Sequence, residues 1–180
     1  PVADCPILEA PLRQQLAEGN HTLDLAISYL NLGALARNNS KPAAALELIN
    51  RSLEHYTAVY GAEHPLLWKV HRNIGNALLD LNRLPEARAE LEHAIALAEA
   101  SLGPGHGGVG QLRNALAWCY IDDDPARALA LATAGLAIYV REVSDSDPRR
   151  VQPLELLGQI HTDRNEPDKA LPYRQEALRR

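Results

Sequence analysis

The chain reads as an all-α protein, a right-handed α-solenoid of stacked antiparallel helix pairs, with four repeats of about 42 residues. Three markers that hold one period predict it. A leucine or isoleucine followed by a small residue returns as Leu32-Gly33, Ile74-Gly75, Leu116-Ala117 and Leu157-Gly158, at steps of 42, 42 and 41. An alanine about a dozen residues on falls at Ala45, Ala87, Ala128 and Ala170. A third marker, Thr22, His64, His106 or Asp147, precedes each unit. Self-similarity at such a period is the signature of stacked repeats, where each unit buries its apolar face only against its neighbours.

Each unit reads as a helix A followed by a helix B. In the second unit His64-Pro65 opens helix A, because a polar cap followed by proline suits a helix start. Leu67, Val70, Ile74, Ala77, Leu78 and Leu81 then recur at helical spacing. Asn82-Arg83 breaks the pattern before Pro85, and Gly103-Pro104-Gly105 ends helix B. Prolines recur near each helix B start, at Pro42, Pro85, Pro125 and Pro167. The predicted helix A spans are 22–38, 65–81, 107–121 and 151–163; helix B spans are 42–60, 85–102, 125–143 and 168–180. The repeats accordingly run 22–63, 64–105, 106–146 and 147–180, with residues 1–21 as an N-terminal segment resembling the tail of an upstream repeat. The third unit is one residue short between Tyr120 and Ala128. The fourth carries Pro153 near its helix A start and Pro172 inside its helix B, so a kinked or frayed end is expected there.

Composition narrows the function classes. With 23% charged and 46% hydrophobic residues, the chain belongs with folded soluble proteins. It has no Phe and no Met, so its core is built from Leu, Ala, Ile and Val. A net charge of −5 argues against a general nucleic-acid binder, which needs a basic surface. Two cysteines, Cys5 and Cys119, make neither a disulfide framework nor a thiolate metal cluster, and Cys119 is expected as a small buried residue. No apolar run reaches membrane-spanning length and no leader pattern precedes Pro1, so a cytoplasmic location is expected. The missing initiator Met and the uncapped last helix suggest a segment of a longer protein.

With Leu-Gly in mid helix A and Ala early in helix B, the pattern resembles the tetratricopeptide repeat. The longer period and the His64-Pro65 opening make it similar to the kinesin light chain type of that repeat, which the stretch from His64 to Ala87 fits without a gap, Asn73 included. The resemblance covers about residues 22–180 and implies a non-enzymatic scaffold whose concave face, lined by helix A, holds a peptide or protein segment. Residues two, five, six and nine of each motif share one helix face. From this face we single out Asn31, Arg37, Lys69, Arg72, Asn73, Asn76, Gln111, Asn114, Trp118 and Gln159 as candidate peptide-binding residues. The amides both donate and accept and so suit a peptide backbone, Arg37, Lys69 and Arg72 favour an acidic group, and Trp118 offers apolar contact. The clamp for a C-terminal carboxylate used by chaperone-binding members is incomplete: Arg72 and Asn76 match, but Ala115, Gln152 and Leu156 do not.

Enzyme-like signals carry less. Gly105-His106-Gly107-Gly108-Val109-Gly110 spells a dinucleotide fingerprint but follows a long helix where that motif needs a strand. Asp122-Asp123-Asp124 lacks the turn glycine and distal glutamate of a calcium loop and suits a helix cap. The seven histidines are scattered without metal-ligand spacing, and no serine or cysteine stands in a nucleophile context. No metal, cofactor or catalytic residue is predicted. The alternatives are a self-association or regulatory module of a larger bacterial signalling protein (a kinase or transcription regulator), forming homo-oligomers through its uncapped ends, and a groove that senses a small ligand. The Ala- and Arg-rich, Lys-poor composition hints at a bacterial source.

Overall fold

The computed structural model describes residues 23–144 and 147–179. Within them lie four helix pairs: α1 (Leu23–Asn38) with α2 (Pro42–Tyr60), α3 (Trp68–Asp80) with α4 (Leu84–Leu102), α5 (Gly107–Trp118) with α6 (Pro125–Glu142), and α7 (Val151–Asp163) with α8 (Pro167–Leu178). Each helix packs chiefly on its own partner, and each second helix also packs on the first helix of the next pair. The result is the α-solenoid that the periodicity predicts. The reading of residues 1–21 lies outside the described residues, as does Thr22.

The phase markers acquire physical roles. His64 Nδ1 accepts from the Leu66 N–H at 3.3 Å, His106 Nδ1 from the Gly108 N–H at 3.0 Å, and Asp147 Oδ1 from the Arg149 N–H at 2.9 Å. One polar residue thus caps the start of three successive units, satisfying an N–H that the first helical turn cannot. The Leu-Gly marker is the point of closest approach within a pair. A Cβ on Gly33 would stand 2.4 Å from Ile49 Cγ1, and one on Gly75 would stand 2.7 Å from Leu91 Cγ.

Helix boundaries differ from the predicted spans in two informative places. Pro65–Leu67 forms a 3-10 turn, so the regular helix starts only at Trp68. In the third unit α5 ends at Trp118, three residues earlier than expected, because the shortened connection has a different turn. The other three units pass from helix A to helix B through a left-handed residue: Ser40, Asn82 and Asn165, with φ of 57°, 58° and 58°. The third uses Asp124 instead, whose carboxylate accepts from the Arg127 N–H at 3.0 Å. That side-chain cap replaces the left-handed turn and accounts for one member of the aspartate run.

The fourth unit is helical through both of its prolines. Pro153 is buried as the third residue of α7, directly after the 3-10 turn Pro148–Arg150, and the helix runs on through it. Pro172 is inside α8 but exposed, and the helix continues to Leu178. The carbonyl that Pro172 leaves unbonded belongs to Asp168, itself exposed, so water can satisfy it.

The core runs along the stack, from Ala45 and Ile49 through Ile74, Leu91, Leu112 and Leu116 to Leu157 and Ile160. Alanines at the marker positions, Ala45, Ala87, Ala128 and Ala170, are at most 3% exposed, so paired helices approach closely there. A second, smaller cluster of Leu25, Tyr29, Leu32 and Leu48 closes the first pair. On the seam between α4 and the third unit, Tyr120 lies between two guanidiniums, Arg88 and Arg127, each 4.3 Å from its ring centroid. Arg88 also donates to the Cys119 carbonyl and pairs with Asp123, tying the second unit to the short turn of the third. No helix among the described residues is long and apolar enough to cross a membrane.

Candidate functional site

The first helices of successive pairs share a face, and polar side chains link them across it. Arg37 at the end of α1 donates through Nε to Asp80 Oδ2 at 2.5 Å, at the end of α3. Arg72 on α3 donates through Nη1 to Gln111 Oε1 at 3.0 Å, on α5. These two links are alike in form but differ in charge. Arg37 is neutralised by a carboxylate, whereas Arg72 has only a neutral amide.

Arg72 is the centre of the candidate site. Its guanidinium lies 5.3 Å from the ring centroid of Trp68, which is one helical turn back and buried. Lys69 Nζ lies 5.6 Å from the same ring. Burial pulls the Arg72 guanidinium below its ordinary range; the Tyr139 hydroxyl opposes that and the Arg37 charge adds to it. Among the described residues no carboxylate pairs with Arg72 or Lys69. A half-buried cation without an anionic partner is electrostatically unsatisfied and attracts carboxylates.

The glycine-rich motif is part of this geometry, in a role unlike nucleotide binding. Tyr139 reaches from α6 past α5, and a Cβ on Gly110 would stand 3.2 Å from its ring while one on Gly107 would stand 3.5 Å away. The missing side chains therefore seat the Tyr139 ring against α5. Its hydroxyl donates to the Gly107 carbonyl at 3.1 Å, and burial pushes its pKa up to about 12. A Cβ on Gly108 would stand 3.1 Å from the Trp68 indole. The motif thus starts a helix and receives two large rings.

The other predicted residues divide by position. Lys69, Gln111, Asn31 and Trp118 are exposed, Trp118 by 39%. Asn73 and Asn76 are half-buried, and Asn73 Nδ2 donates to the Lys69 carbonyl of its own helix at 2.7 Å, leaving its oxygen to accept. Gln159 donates to Asp163 on its own helix at 2.7 Å. Lys69, Arg72 and Gln111 come together beside Trp68, and Asn73 is joined to them through the Lys69 carbonyl. No described contact joins Asn31, Asn76, Trp118 or Gln159 to that cluster.

Asn114 is a correction. It was expected on the exposed face, but it is 1% exposed and neither of its amide atoms has a partner. The cause is close packing of α5 and α6. With Ala117 at the usual glycine position, the glycine contact moves to Gly110 and Gly135, where a Cβ on Gly135 would stand 3.1 Å from the Gly110 carbonyl and 2.3 Å from Asn114 Oδ1. α6 therefore covers the Asn114 side chain. Leu156, on the same predicted face, is also buried.

Trp68 and Tyr139 were not among the sequence candidates. Trp68 was legible, since residues four apart on a helix are neighbours and Arg72 follows it at that spacing. Tyr139 was not, because only the packing of α6 on the α5 glycines brings it near.

Comparison with known proteins fits this geometry. The tetratricopeptide repeat family model matches residues 24–100 and 66–140. A clustered mitochondria protein homolog from Brugia malayi is 29% identical over 96 residues, 53% of this chain and 7% of that protein. One from Coccidioides immitis (strain RS) is 25% identical over 146 residues, 79% of this chain and 11% of that protein. The chain therefore corresponds to only a small part of these curated relatives. Among solved structures, BtubC from P. vanneervenii superposes with a TM-score of 0.76 at 20% identity, covering 95% of this chain and 73% of that one. Nearly identical kinesin light chain tetratricopeptide-like repeats from Podosopora anserina give 0.77 at 18% identity, covering 95% and 82%. At these identities the likeness is one of fold.

Proposed function

The chain belongs to the tetratricopeptide repeat family, and on that premise we propose that its helix A face holds an extended segment of a partner protein through an acidic group on Arg72 and Lys69. Repeats of this family mediate protein–protein interaction and typically form non-enzymatic scaffolds. The finer reading rests on one observation: Arg72 is half-buried beside Trp68, bonded to Gln111, and faces no carboxylate among the described residues. An acidic side chain arriving there gains a charge-assisted hydrogen bond that the free protein lacks. The Gln111 amide N–H groups would donate to a backbone carbonyl, and the Asn73 oxygen would accept from a backbone N–H.

Arg37 has a smaller part than its sequence position suggests, since Asp80 already holds it. Asn31, Asn76, Trp118 and Gln159 would extend the contact along neighbouring units. Asn114 has no place in the reading.

The test is affinity capture from native lysate, followed by a direct binding titration with the partner recovered. We expect Arg72→Glu to weaken that partner by about tenfold or more, the worth of one charge-assisted hydrogen bond. Because the variant also loses the Gln111 hydrogen bond and the Trp68 contact, binding is compared well below its own unfolding temperature. A partner bound equally well by both would move recognition to another surface. A chain that captures nothing and self-associates in proportion to its concentration would support an assembly module instead.

A further inference from the structure

Where α4 ends and α5 begins, the stack is open. A pocket of about 450 Å³ lies between the starts of α3 and α5 and the ends of α4 and α6. We propose that this pocket takes a carboxylate carried on a compact apolar body, such as a branched aliphatic acid or a glutamate next to a leucine. The pocket shares Lys69, Gln111, Trp68 and the α5 glycines with the site described above and adds Leu66, Leu102, Glu142 and Arg149 to them.

The pocket exists because of two glycines. After its capping residue, the second unit has Pro65-Leu66 and the fourth Pro148-Arg149, whereas the third has Gly107-Gly108. A Cβ on Gly108 would stand 3.1 Å from the Trp68 indole and 3.4 Å from Leu102 Cδ1. A leucine there, as in the second unit, would project into the space. Its absence leaves a chamber with Leu66, Leu102 and Trp68 on its apolar side and Ser101, His106 and Tyr139 also on its wall.

Charge sets what enters and which way round. Lys69 and Gln111 line one side, and Arg72 stands behind them, bonded to Gln111. Glu142 lines the pocket over Gly107, and Arg149, whose charge is near it, lines the pocket as well. Arg149 is itself held by Asp147 at 2.8 Å. The negative wall thus has a cation beside it, while the positive wall has no described carboxylate. A carboxylate is drawn to the Lys69 side and repelled by Glu142, with its apolar body left against Trp68 and the leucines.

The chain has two tryptophans, so Trp118→Phe leaves Trp68 as the sole indole reporter in the pocket wall. In that background, Trp68 emission is followed while adding isocaproate, its neutral amide isocaproamide, the end-blocked tetrapeptide Ser-Leu-Glu-Ser, or its glutamine counterpart. We expect a saturable change with at least one carboxylate probe, and about tenfold or more weakening in its neutral counterpart. Response to isocaproate alone identifies a small organic acid as the ligand class, and response to the peptide alone identifies a peptide side chain; either supports the pocket. Gly108→Leu should abolish the response, and Lys69→Met, an exposed exchange, should weaken it even if the glycine variant fails to fold. Equal binding of acid and amide, or no saturable response to any probe, overturns the proposal. Partner capture by Gly108→Leu but not by Arg72→Glu would then leave the helix A reading standing.

Discussion

Gly33 and Gly158 occupy the same place in the repeat, yet adding one methyl group to each should move stability in opposite directions. An alanine in a helix interior is favoured over glycine by about 1 kcal/mol. Against that stands the space each methyl enters. At Gly33 the new carbon would be 2.4 Å from Ile49 Cγ1 and 3.2 Å from the Ala45 carbonyl oxygen. Ile49 is 0% exposed and the carbonyl is backbone, so neither can withdraw without moving α2. Overpacking of this kind costs about 1 to 3 kcal/mol, and two rigid obstacles put Gly33→Ala near the upper end. The net expectation is a loss of about 1 to 2 kcal/mol. At Gly158 the near atom is Arg174 Cγ, at 2.8 Å, on an exposed side chain of α8, and the nearest backbone atom is 3.7 Å away. Arg174 can change rotamer, so Gly158→Ala should gain about 0.5 to 1 kcal/mol. Guanidinium unfolding followed by far-ultraviolet circular dichroism measures both. A Gly33→Ala protein as stable as the parent, or a Gly158→Ala protein destabilised by more than about 1 kcal/mol, would refute this use of the close contacts.

Three further outcomes are expected. Asn114→Leu removes two buried polar atoms without partners and should raise the denaturant midpoint by a stabilisation of about 1 to 2 kcal/mol; an unchanged or lower midpoint would mean the amide is satisfied in solution. The Asp147 carboxyl is held down to about 2 by hydrogen bonds from the Arg149 side chain and backbone N–H. Its folded value lies below the unfolded one of about 3.9, so its contribution is present above about pH 4 and is lost as pH falls toward the folded value. Asp147→Asn should flatten stability across that acid window, and an unaltered pH profile would contradict it. Burial pushes the Cys119 thiol up to about 11 and leaves it 1% exposed. In a Cys5→Ser background a thiol reagent at pH 8 should therefore label it only as fast as the chain opens, and prompt labelling of the native protein would count against this.

The helix pairs were legible because a stacked repeat writes its packing into sequence as a period. The residue that caps, the glycine that permits close approach and the alanine that faces it recur because each unit solves the same local problem. Deviations from the period were legible as well, but their consequences were not. The missing residue before Ala128 announces an altered turn; that Asp124 caps it and that Arg88 reaches across to Cys119 and Asp123 depends on the neighbouring pair. Pro172 announces a disturbed helix, and only its exposure explains why α8 continues through it.

At the candidate site the division is sharper. Helical spacing places Lys69, Arg72 and Asn73 on one face, because positions three and four apart on a helix coincide, and the repeat register places Gln111 on the matching face of the next unit. It places Asn114 there too, and the structure buries it, since the approach of α6 at Gly135 depends on a residue twenty-one positions away in the chain. Residue type alone marks Arg37 and Arg72 alike, as cations able to meet an acidic group. The fold separates them by giving Asp80 to one and only Gln111 to the other. Local sequence determined which side chains each helix presents, because that follows from helical geometry. Tertiary structure decided which remain available and whether their charges are already met, because burial and pairing depend on elements brought together from other repeats.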